Sequence, residues 1–238
     1  MLSYDSPVSM NGNHSSAASM AATMNTMSTN PKPINATVVP VTANNTIAKV
    51  NGQPAPRHHH IWLVTGPAGC GKTTVAKHLS TSLNLPYIEG DEFHPKANID
   101  KMANGIALTD ADRWDWLTAL REESLRQLAS GAEGVVLTCS ALKRKYRDVI
   151  RVAPYYSHDV VLHFIYLHAP EDVLLERVGL RKGHYMGANM VHSQFSILEP
   201  PTAEETDVIS LDVSGPMDDI LRETLDKVLK KIDEVASS

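Results

Sequence analysis

Residues 66–73 carry the strongest chemical signal in the sequence. They read Gly-Pro-Ala-Gly-Cys-Gly-Lys-Thr and fit the phosphate-binding pattern Gly-x-x-x-x-Gly-Lys-Thr at every fixed position. Glycine lets backbone N–H groups approach phosphate oxygens, and a helix that starts within the loop favours anions at its N-terminus. We therefore expect a nucleoside triphosphate to contact Gly66, Pro67, Ala68, Gly69, Cys70, Gly71, Lys72, Thr73 and Thr74.

Individual side chains of this phosphate-binding loop have separate predicted roles. Lys72 is expected to reach the β- and γ-phosphates, and Thr73 to ligate Mg²⁺ through its hydroxyl. Cys70 fits either a reactive thiol beside a lysine or a small side chain that the loop tolerates, and the second interpretation is favoured. The loop predicts ATP or GTP binding, but it does not separate a kinase from a GTPase switch or an ATPase.

A second group of polar residues follows the next apolar run. Asp91 is expected at the carboxyl end of a strand, where open α/β sheets bind their ligands. Its carboxylate could deprotonate an attacking hydroxyl, help to hold Mg²⁺, or cap a helix. Further polar side chains crowd residues 90–102, which favours a role in a site.

The densest basic cluster comprises Lys143, Arg144, Lys145, Arg147 and Arg151. Three interpretations are open: a solvated helix face, a clamp for a carboxylate-bearing substrate, or a nucleic-acid patch. The acidic balance of the chain and the absence of interleaved aromatic residues disfavour the nucleic-acid patch.

Two further basic segments are ambiguous. Arg177 and Arg181 share one helix face, and they fit either a mobile lid that neutralises a transferring phosphoryl group or a helix C-terminus that complements its dipole. The triplet at 58–60 reads His-His-His, but without a second ligand cluster a metal site there is disfavoured.

Five short apolar runs must position these residues: 61–65, 87–89, 135–139, 160–167 and 208–213. They do not alternate with polar residues, which is typical of strands buried on both faces. Amphipathic segments separate them, including predicted helices at 72–83, 110–130 and 217–235, with Thr109 and Asp112 resembling a capping box. The pattern predicts a doubly wound α/β domain with a five-stranded parallel sheet and helices on both faces.

The composition separates the chain into two parts. Residues 1–56 are rich in Asn, Ser, Thr, Ala, Met and Pro, and we expect a disordered tail there, with a folded domain at 57–238. The whole chain of 238 residues has a net charge of −5, 42% hydrophobic residues and 2 cysteines. These values favour a cytoplasmic protein that binds neither nucleic acid nor a membrane.

Taken together, the motifs resemble those of the thermoresistant gluconate kinases, relatives of shikimate kinase and the nucleoside monophosphate kinases. The resemblance covers about 58–235. It depends on the phosphate-binding loop and on matching residues in five further segments, at 90–102, 108–117, 139–148, 181–184 and 194–201.

The resemblance implies ATP:gluconate 6-phosphotransferase activity, Mg²⁺ dependence, a five-stranded parallel sheet with a mobile lid, and a homodimer. It implies catalytic roles for Lys72, Asp91 and Arg181, and a nucleotide contact for Arg177. The substrate contacts that it implies are Asp91, His94, Arg113, Lys143, Arg147, His184 and Gln194.

One departure from other P-loop proteins affects the metal. The third strand ends in Thr138, Cys139 and Ser140, with no aspartate of the kind that usually helps to hold Mg²⁺. The metal must then depend on Thr73, phosphates and water, with Asp91 as a further candidate. Two rival functions stay open: a kinase of another small acid such as shikimate, and a low-turnover nucleotide switch. The switch is disfavoured because no guanine-specifying Asn-Lys-x-Asp run is present.

Overall fold

The structure, a computed structural model, describes residues 58–180 and 188–237. All of them belong to the larger of the two units into which the chain divides, residues 49–238. The predicted disordered tail at 1–56 lies outside the described residues. So does the segment 181–187, where the predicted lid would continue.

The domain is built on a parallel sheet of five strands, as predicted. The strands are β1 (His59–Thr65), β2 (Tyr87–Ile88), β3 (Gly134–Thr138), β4 (Val160–His168) and β5 (Val208–Asp212), in the spatial order β2-β3-β1-β4-β5. Every pairing is parallel, so all strand carboxyl ends meet at one edge. Residues 61–65 and the whole of β3 are buried, which explains their uninterrupted apolar character.

Helices cover both faces of the sheet. They are α1 (Lys72–Leu83), α2 (Lys96–Ala103), α3 (Trp114–Ala129), α4 (Arg144–Arg151), α5 (Glu171–Gly179), α6 (Ala188–Ile197) and α7 (Met217–Ala236). One core contains Trp62, Val64, Leu79, Ile220 and Val228 and joins the sheet to α1 and α7. The opposite core contains Ile61, Leu63, Leu117, Leu120 and Ile150 and joins it to α3 and α4. The predicted fold class is therefore confirmed.

The helix predicted at 110–130 begins later than expected. A 3₁₀ turn occupies Ala111–Arg113, and the α-helix starts at Trp114. The predicted capping residues do interact, since the backbone N–H and the hydroxyl of Thr109 both donate to Asp112 Oδ2, at 2.8 and 2.7 Å. Asp112 thus closes the turn that precedes the helix instead of the helix itself.

The polar residues 90–102 form a 3₁₀ turn over Gly90–Phe93 followed by α2. The turn packs tightly on β3, because a Cβ at Gly90 would lie 1.8 Å from the carbonyl oxygen of Thr138. Only glycine allows this approach. It fixes Asp91 and His94 beside the end of β3.

Three aromatic rings stack inside the sheet. Each ring contacts the other two: the ring centroid of Trp62 lies 5.4 Å from that of His60 and 4.3 Å from that of His163, and His60 Nδ1 is 3.1 Å from His163 Nε2. Burial, with His58 and His59 close by, lowers the pKa of His60 to about 4, and burial beside His60 lowers the pKa of His163 to about 3. Both imidazoles are therefore neutral at physiological pH.

Candidate active site

A cleft of about 630 Å³ opens at the carboxyl edge of the sheet. The phosphate-binding loop forms one wall, and the segments that follow β2 and β3 form the other. The predicted site residues that line it are Ala68, Gly69, Gly71, Lys72, Thr73, Thr74, Asp91, His94, Arg113 and Gln194. Ligands of open α/β sheets bind at this edge, so the fold and the cleft agree.

The phosphate-binding loop adopts a conformation that requires glycine. Gly66 has a φ of +140°, and a Cβ there would lie 2.3 Å from the carbonyl oxygen of Leu167. Lys72 Nζ donates to the carbonyl oxygens of Gly66 and Pro67, at 3.0 and 2.9 Å. The ammonium group is therefore held over the loop, and α1 begins at the same residue.

Glu89 is a site residue that the sequence reasoning missed. It accepts hydrogen bonds from Thr73 at 3.1 Å, Tyr87 at 2.5 Å and Thr138 at 2.5 Å, and it lines the cleft. Burial alone would raise the pKa of Glu89, but these three hydrogen bonds and the charge of Lys72 hold it below its usual range. An ionised carboxylate therefore lies beside the hydroxyl that was predicted to ligate Mg²⁺.

A signal for Glu89 was present in the sequence. Glu89 and Asp91 flank a glycine where the second apolar run ends, so two carboxylates converge on one strand end. The oxygens of Glu89 and Thr73 are the hard ligands that Mg²⁺ prefers, and the donor set fits this ion. Together they can supply what the missing third-strand aspartate provides elsewhere.

His94 and Arg113 form the wall opposite the phosphate-binding loop. His94 stacks on Trp116 with ring centroids 4.0 Å apart, and its buried Nδ1 has no hydrogen-bond partner among the described residues. Burial, followed by the charge of Arg113, lowers the pKa of His94 to about 4. A neutral imidazole at this place can both donate to and accept from substrate hydroxyls.

Arg113 is held rigidly at the cleft. Its Nη1 donates to the carbonyl oxygens of Leu108 and Thr109, the latter at 2.9 Å, and its guanidinium lies 5.3 Å from the ring centroid of Tyr146. Asp91 lies on the turn after β2 and lines the same cleft. A carboxylate, a neutral imidazole and a guanidinium thus line the same cleft as Lys72.

Cys139 lines the same wall as a neutral thiol. It is buried, and burial raises its pKa to about 12 despite a hydrogen bond from the backbone of Ala141. The thiol therefore stays protonated and does not act as a nucleophile.

Arg147, which the resemblance implies as a substrate ligand, is not among the described residues that line the cleft. Its side chain is 2% exposed and forms a bidentate ion pair with Glu205, at 2.7 and 2.6 Å. Its Nη1 donates to the carbonyl oxygens of Ala141 and Glu199, at 3.2 and 3.1 Å. Four of the five N–H donors of the guanidinium are thus used by protein partners, which disfavours Arg147 as a ligand of the substrate carboxylate.

The other predicted site residues are Lys143, Gln194, Arg177, Arg181 and His184. Lys143 is not among the described residues that line the cleft, and its ammonium lies 3.1 Å from Asp110 Oδ1. Gln194 lies on α6, and its Oε1 accepts a hydrogen bond of 2.7 Å from the backbone N–H of Ala68. Arg177 lies on α5 and its Nη2 donates to the carbonyl oxygen of Ser214 at 3.4 Å. Arg181 and His184 lie outside the described residues.

Two structural absences concern the described residues alone. None of the helices in that part of the chain is both long and apolar enough to cross a membrane. Within residues 58–180 and 188–237, no group of three or more His, Cys, Asp or Glu side chains is arranged to hold a metal ion. The histidines at 58–60 were included in that search.

Comparison with known proteins gives a consistent result. The family model described as "AAA domain" matches residues 61–196. The probable gluconokinase of Schizosaccharomyces pombe is 46% identical over 190 residues, which cover 79% of this chain and 97% of the relative. The thermoresistant gluconokinase of Escherichia coli is 38% identical over 173 residues, covering 73% and 95%.

A solved structure agrees with these relatives. The crystal structure of a gluconokinase from Sinorhizobium meliloti has a TM-score of 0.64 and is 38% identical, covering 76% of this chain and 97% of that one. These three proteins match over 95–97% of their own lengths. The chain therefore belongs to the gluconokinase family.

Proposed function

We propose that this protein transfers the γ-phosphoryl group of ATP to the 6-hydroxyl of D-gluconate, which gives 6-phosphogluconate. The observation that carries the proposal is the composition of the cleft. A phosphate-binding loop faces a carboxylate, a neutral imidazole and a rigidly held guanidinium across a space of about 630 Å³. That volume is of the size that holds small-molecule ligands.

The nucleotide side depends on residues of the loop. Backbone N–H groups and the N-terminus of α1 bind the phosphates, and Lys72 adds a point charge at the β- and γ-phosphates. Mg²⁺ would be held by Thr73 together with the Glu89 carboxylate, either directly or through water. When bound, the metal neutralises phosphate charge.

Asp91, Arg113 and His94 would bind the acceptor, gluconate. Asp91 orients the 6-hydroxyl and takes its proton as the oxygen–phosphorus bond forms and the bond to ADP breaks. Arg113 binds the carboxylate at the other end of gluconate, because a guanidinium matches a carboxylate in shape and charge. His94 binds the hydroxyls between them. Because Glu89 is the carboxylate that contacts Thr73, we assign Glu89 to the metal and Asp91 to the 6-hydroxyl of gluconate.

Other parts of the proposal rest on sequence reasoning. Arg181 and His184 are proposed to act from a lid, and Arg177 to contact the nucleotide. We also propose a homodimer in the cytoplasm, without nucleic-acid or membrane partners. Size-exclusion chromatography with light scattering checks the dimer, since a mass near that of a single chain would contradict it.

A coupled assay of ADP release tests the proposed activity. We expect ADP release to depend on gluconate and to stay near background with water, sorbitol or shikimate as the only acceptor. Sorbitol is the sharp control because it keeps the hydroxyls and lacks the carboxylate. Release with shikimate alone would identify a different acid kinase, and release without any acceptor would indicate an ATPase.

Lys72→Ala supplies the matched control for this assay. Loss of one preorganised electrostatic contact typically costs about 10²–10³ in rate. We expect gluconate-dependent ADP release to fall by that factor while the melting temperature is unchanged. Retention of more than about a tenth of the rate would show that the phosphates bind elsewhere.

A further inference from the structure

Arg113 is the end of a chain of hydrogen bonds that leads away from the cleft. Its Nη1 lies 3.4 Å from the hydroxyl of Tyr146, to which it donates, and its guanidinium packs on the same ring. The Tyr146 hydroxyl in turn donates to Asp110 Oδ1. Neither Tyr146 nor Asp110 is among the described residues that line the cleft.

The direction of this chain is fixed by its chemistry. Arginine only donates and an ionised carboxylate only accepts, so the tyrosine hydroxyl must accept from one and donate to the other. Burial, followed by the hydrogen bond to Asp110, raises the pKa of Tyr146 above its usual range, which keeps its proton in place. Tyr146 is 1% exposed, so solvent does not compete for its hydroxyl.

Asp110 also gathers two ammonium groups. Lys143 Nζ lies 3.1 Å from Oδ1, and Lys145 Nζ donates to Oδ2. Hydrogen bonds from Lys145, Tyr146 and Lys143 hold the pKa of Asp110 well below its usual range. One carboxylate thus orients the tyrosine and keeps two cations beside it, away from the cleft wall that Arg113 occupies.

The residues that precede Arg113 are fixed in a similar way. Asn98 Nδ2 donates to the carbonyl oxygen of Asp112 at 2.6 Å, and Lys101 Nζ donates to Asp112 Oδ1 at 2.6 Å. These contacts tie residues 108–113 to α2. They hold the backbone of residues 108–113. The guanidinium of Arg113 is held by the carbonyl oxygens of Leu108 and Thr109 and, from the side of α4, by the ring and hydroxyl of Tyr146.

We propose that Tyr146 and Asp110 are positioning residues for substrate recognition, which set the affinity for the sugar-acid carboxylate by fixing the guanidinium of Arg113. The proposal rests on the proposed function, in which Arg113 binds that carboxylate. A preorganised guanidinium loses less freedom on binding than a mobile one, so the effect belongs to gluconate affinity. ATP binds on the other wall and is not affected.

The direct test is a double-mutant cycle between Tyr146→Phe and Arg113→Ala, read as kcat/KM for gluconate. Tyr146→Phe keeps the buried ring and removes the hydroxyl. The loss of one hydrogen bond is expected to raise the KM for gluconate about three- to tenfold, with the KM for ATP unchanged. In the Arg113→Ala background the same substitution should change kcat/KM less than about twofold, because its target is gone.

Asp110→Asn provides a second variant should Tyr146→Phe fold poorly. It keeps the shape of the side chain and removes the charge that orients the tyrosine, so a similar rise in the KM for gluconate is expected. The matched controls are Tyr155→Phe, an exposed tyrosine, and Asp100→Asn, whose carboxylate pairs with Lys96 on the surface of α2. Both controls should leave all constants within about twofold of the wild type.

The possible outcomes separate the two proposals. If the wild-type protein does not phosphorylate gluconate, the proposed function fails. If it does, and Arg113→Ala leaves the KM for gluconate unchanged, the role of Arg113 fails. If Arg113→Ala acts as expected but Tyr146→Phe has no effect, adds fully to it, or raises both KM values equally, the positioning role of Tyr146 is overturned.

Discussion

At the scale of single residues, Glu89 is the acidic group that connects β2 to the phosphate-binding helix. It accepts hydrogen bonds from side chains of three elements, namely Tyr87 on β2, Thr138 on β3 and Thr73 on α1. An acidic group beside a hydroxyl ligand is the arrangement that tunes bound metals. Its function is therefore expected to appear in the metal dependence of the reaction.

Glu89→Gln should raise the Mg²⁺ concentration needed for half-maximal activity by about 10- to 100-fold, the usual effect of losing such a partner. The KM for gluconate should change little, because the substrate carboxylate binds at Arg113. A magnesium titration of initial rates makes the measurement. Glu92→Gln, an exposed position on the same turn, is the control. An unchanged magnesium profile would remove Glu89 from the metal site.

The loop and Glu89 show how far single residues can be predicted. The loop at 66–71 can be predicted because the glycines that its backbone requires lie within six residues of one another in the sequence. Glu89 was missed because its partners Thr73 and Thr138 are distant in sequence, and only the sheet order β2-β3-β1 brings them together. The sequence alone does not separate Arg113 from Arg147 as possible carboxylate ligands. Their surroundings differ because Arg147 pairs with Glu205, which lies 58 residues later in the chain.

At the scale of elements, the ion pair of Arg147 and Glu205 fastens the segment before β5 to α4. Glu205 is 2% exposed and also pairs with Arg151 at 2.6 Å. Burial would raise the pKa of Glu205, but hydrogen bonds from Arg147 and Arg151 hold it at about 2. The contacts of Arg147 with the carbonyl oxygens of Ala141 and Glu199 extend the same junction to the end of β3.

Arg147→Ala is therefore expected to act on stability. Removal of one partner from a buried ion pair typically costs about 3–5 kcal/mol. The lower end of that range is expected here, because Glu205 keeps Arg151 as a partner. Chemical denaturation measures the loss of unfolding free energy. Arg144→Ala, which breaks an exposed pair with Glu204, is the matched control and should cost about 0–1 kcal/mol. A stable Arg147→Ala protein with strongly weakened gluconate binding would restore the original interpretation.

The elements themselves were predicted unevenly. The prediction of β1 and β3 was correct because burial on both faces leaves an unbroken apolar run. The prediction of α1 was correct because its apolar residues lie on one helix face. The helix α2 was missed because residues 90–102 are largely polar. Asn98 and Lys101 of α2 donate hydrogen bonds to Asp112. Polar contacts of this kind leave no periodic apolar pattern in the sequence.

At the scale of the whole domain, the stacked rings of His60, Trp62 and His163 connect stability to pH. Both imidazoles have a folded-state pKa below the ordinary value of about 6.5. Protonation therefore favours the unfolded chain. The stability is fully present above about pH 6.5 and falls as the pH is lowered towards 4 and then 3.

His163→Phe should flatten this dependence, because it keeps an aromatic ring in the stack and removes one titrating group. Between pH 7 and pH 5 the wild type is expected to lose about 2 kcal/mol more unfolding free energy than the variant. Denaturation at a series of pH values gives the result. His158→Gln, an exposed histidine, should retain the wild-type slope. Parallel curves for His163→Phe and the wild type would exclude the stack as the cause.

Transfer of the γ-phosphoryl group of ATP to the terminal hydroxyl of gluconate within one cleft fixes which carbon carries the phosphate. Phosphorus–carbon NMR of the product, after incubation of the protein with MgATP and gluconate, identifies that carbon. Arg113 at the carboxylate and Asp91 at the opposite end predict a single product, with phosphate on C6, and its loss in Lys72→Ala. Phosphate on another carbon, a mixture of positions, or free phosphate in place of a phosphorylated acid would contradict the proposed orientation of gluconate in the cleft.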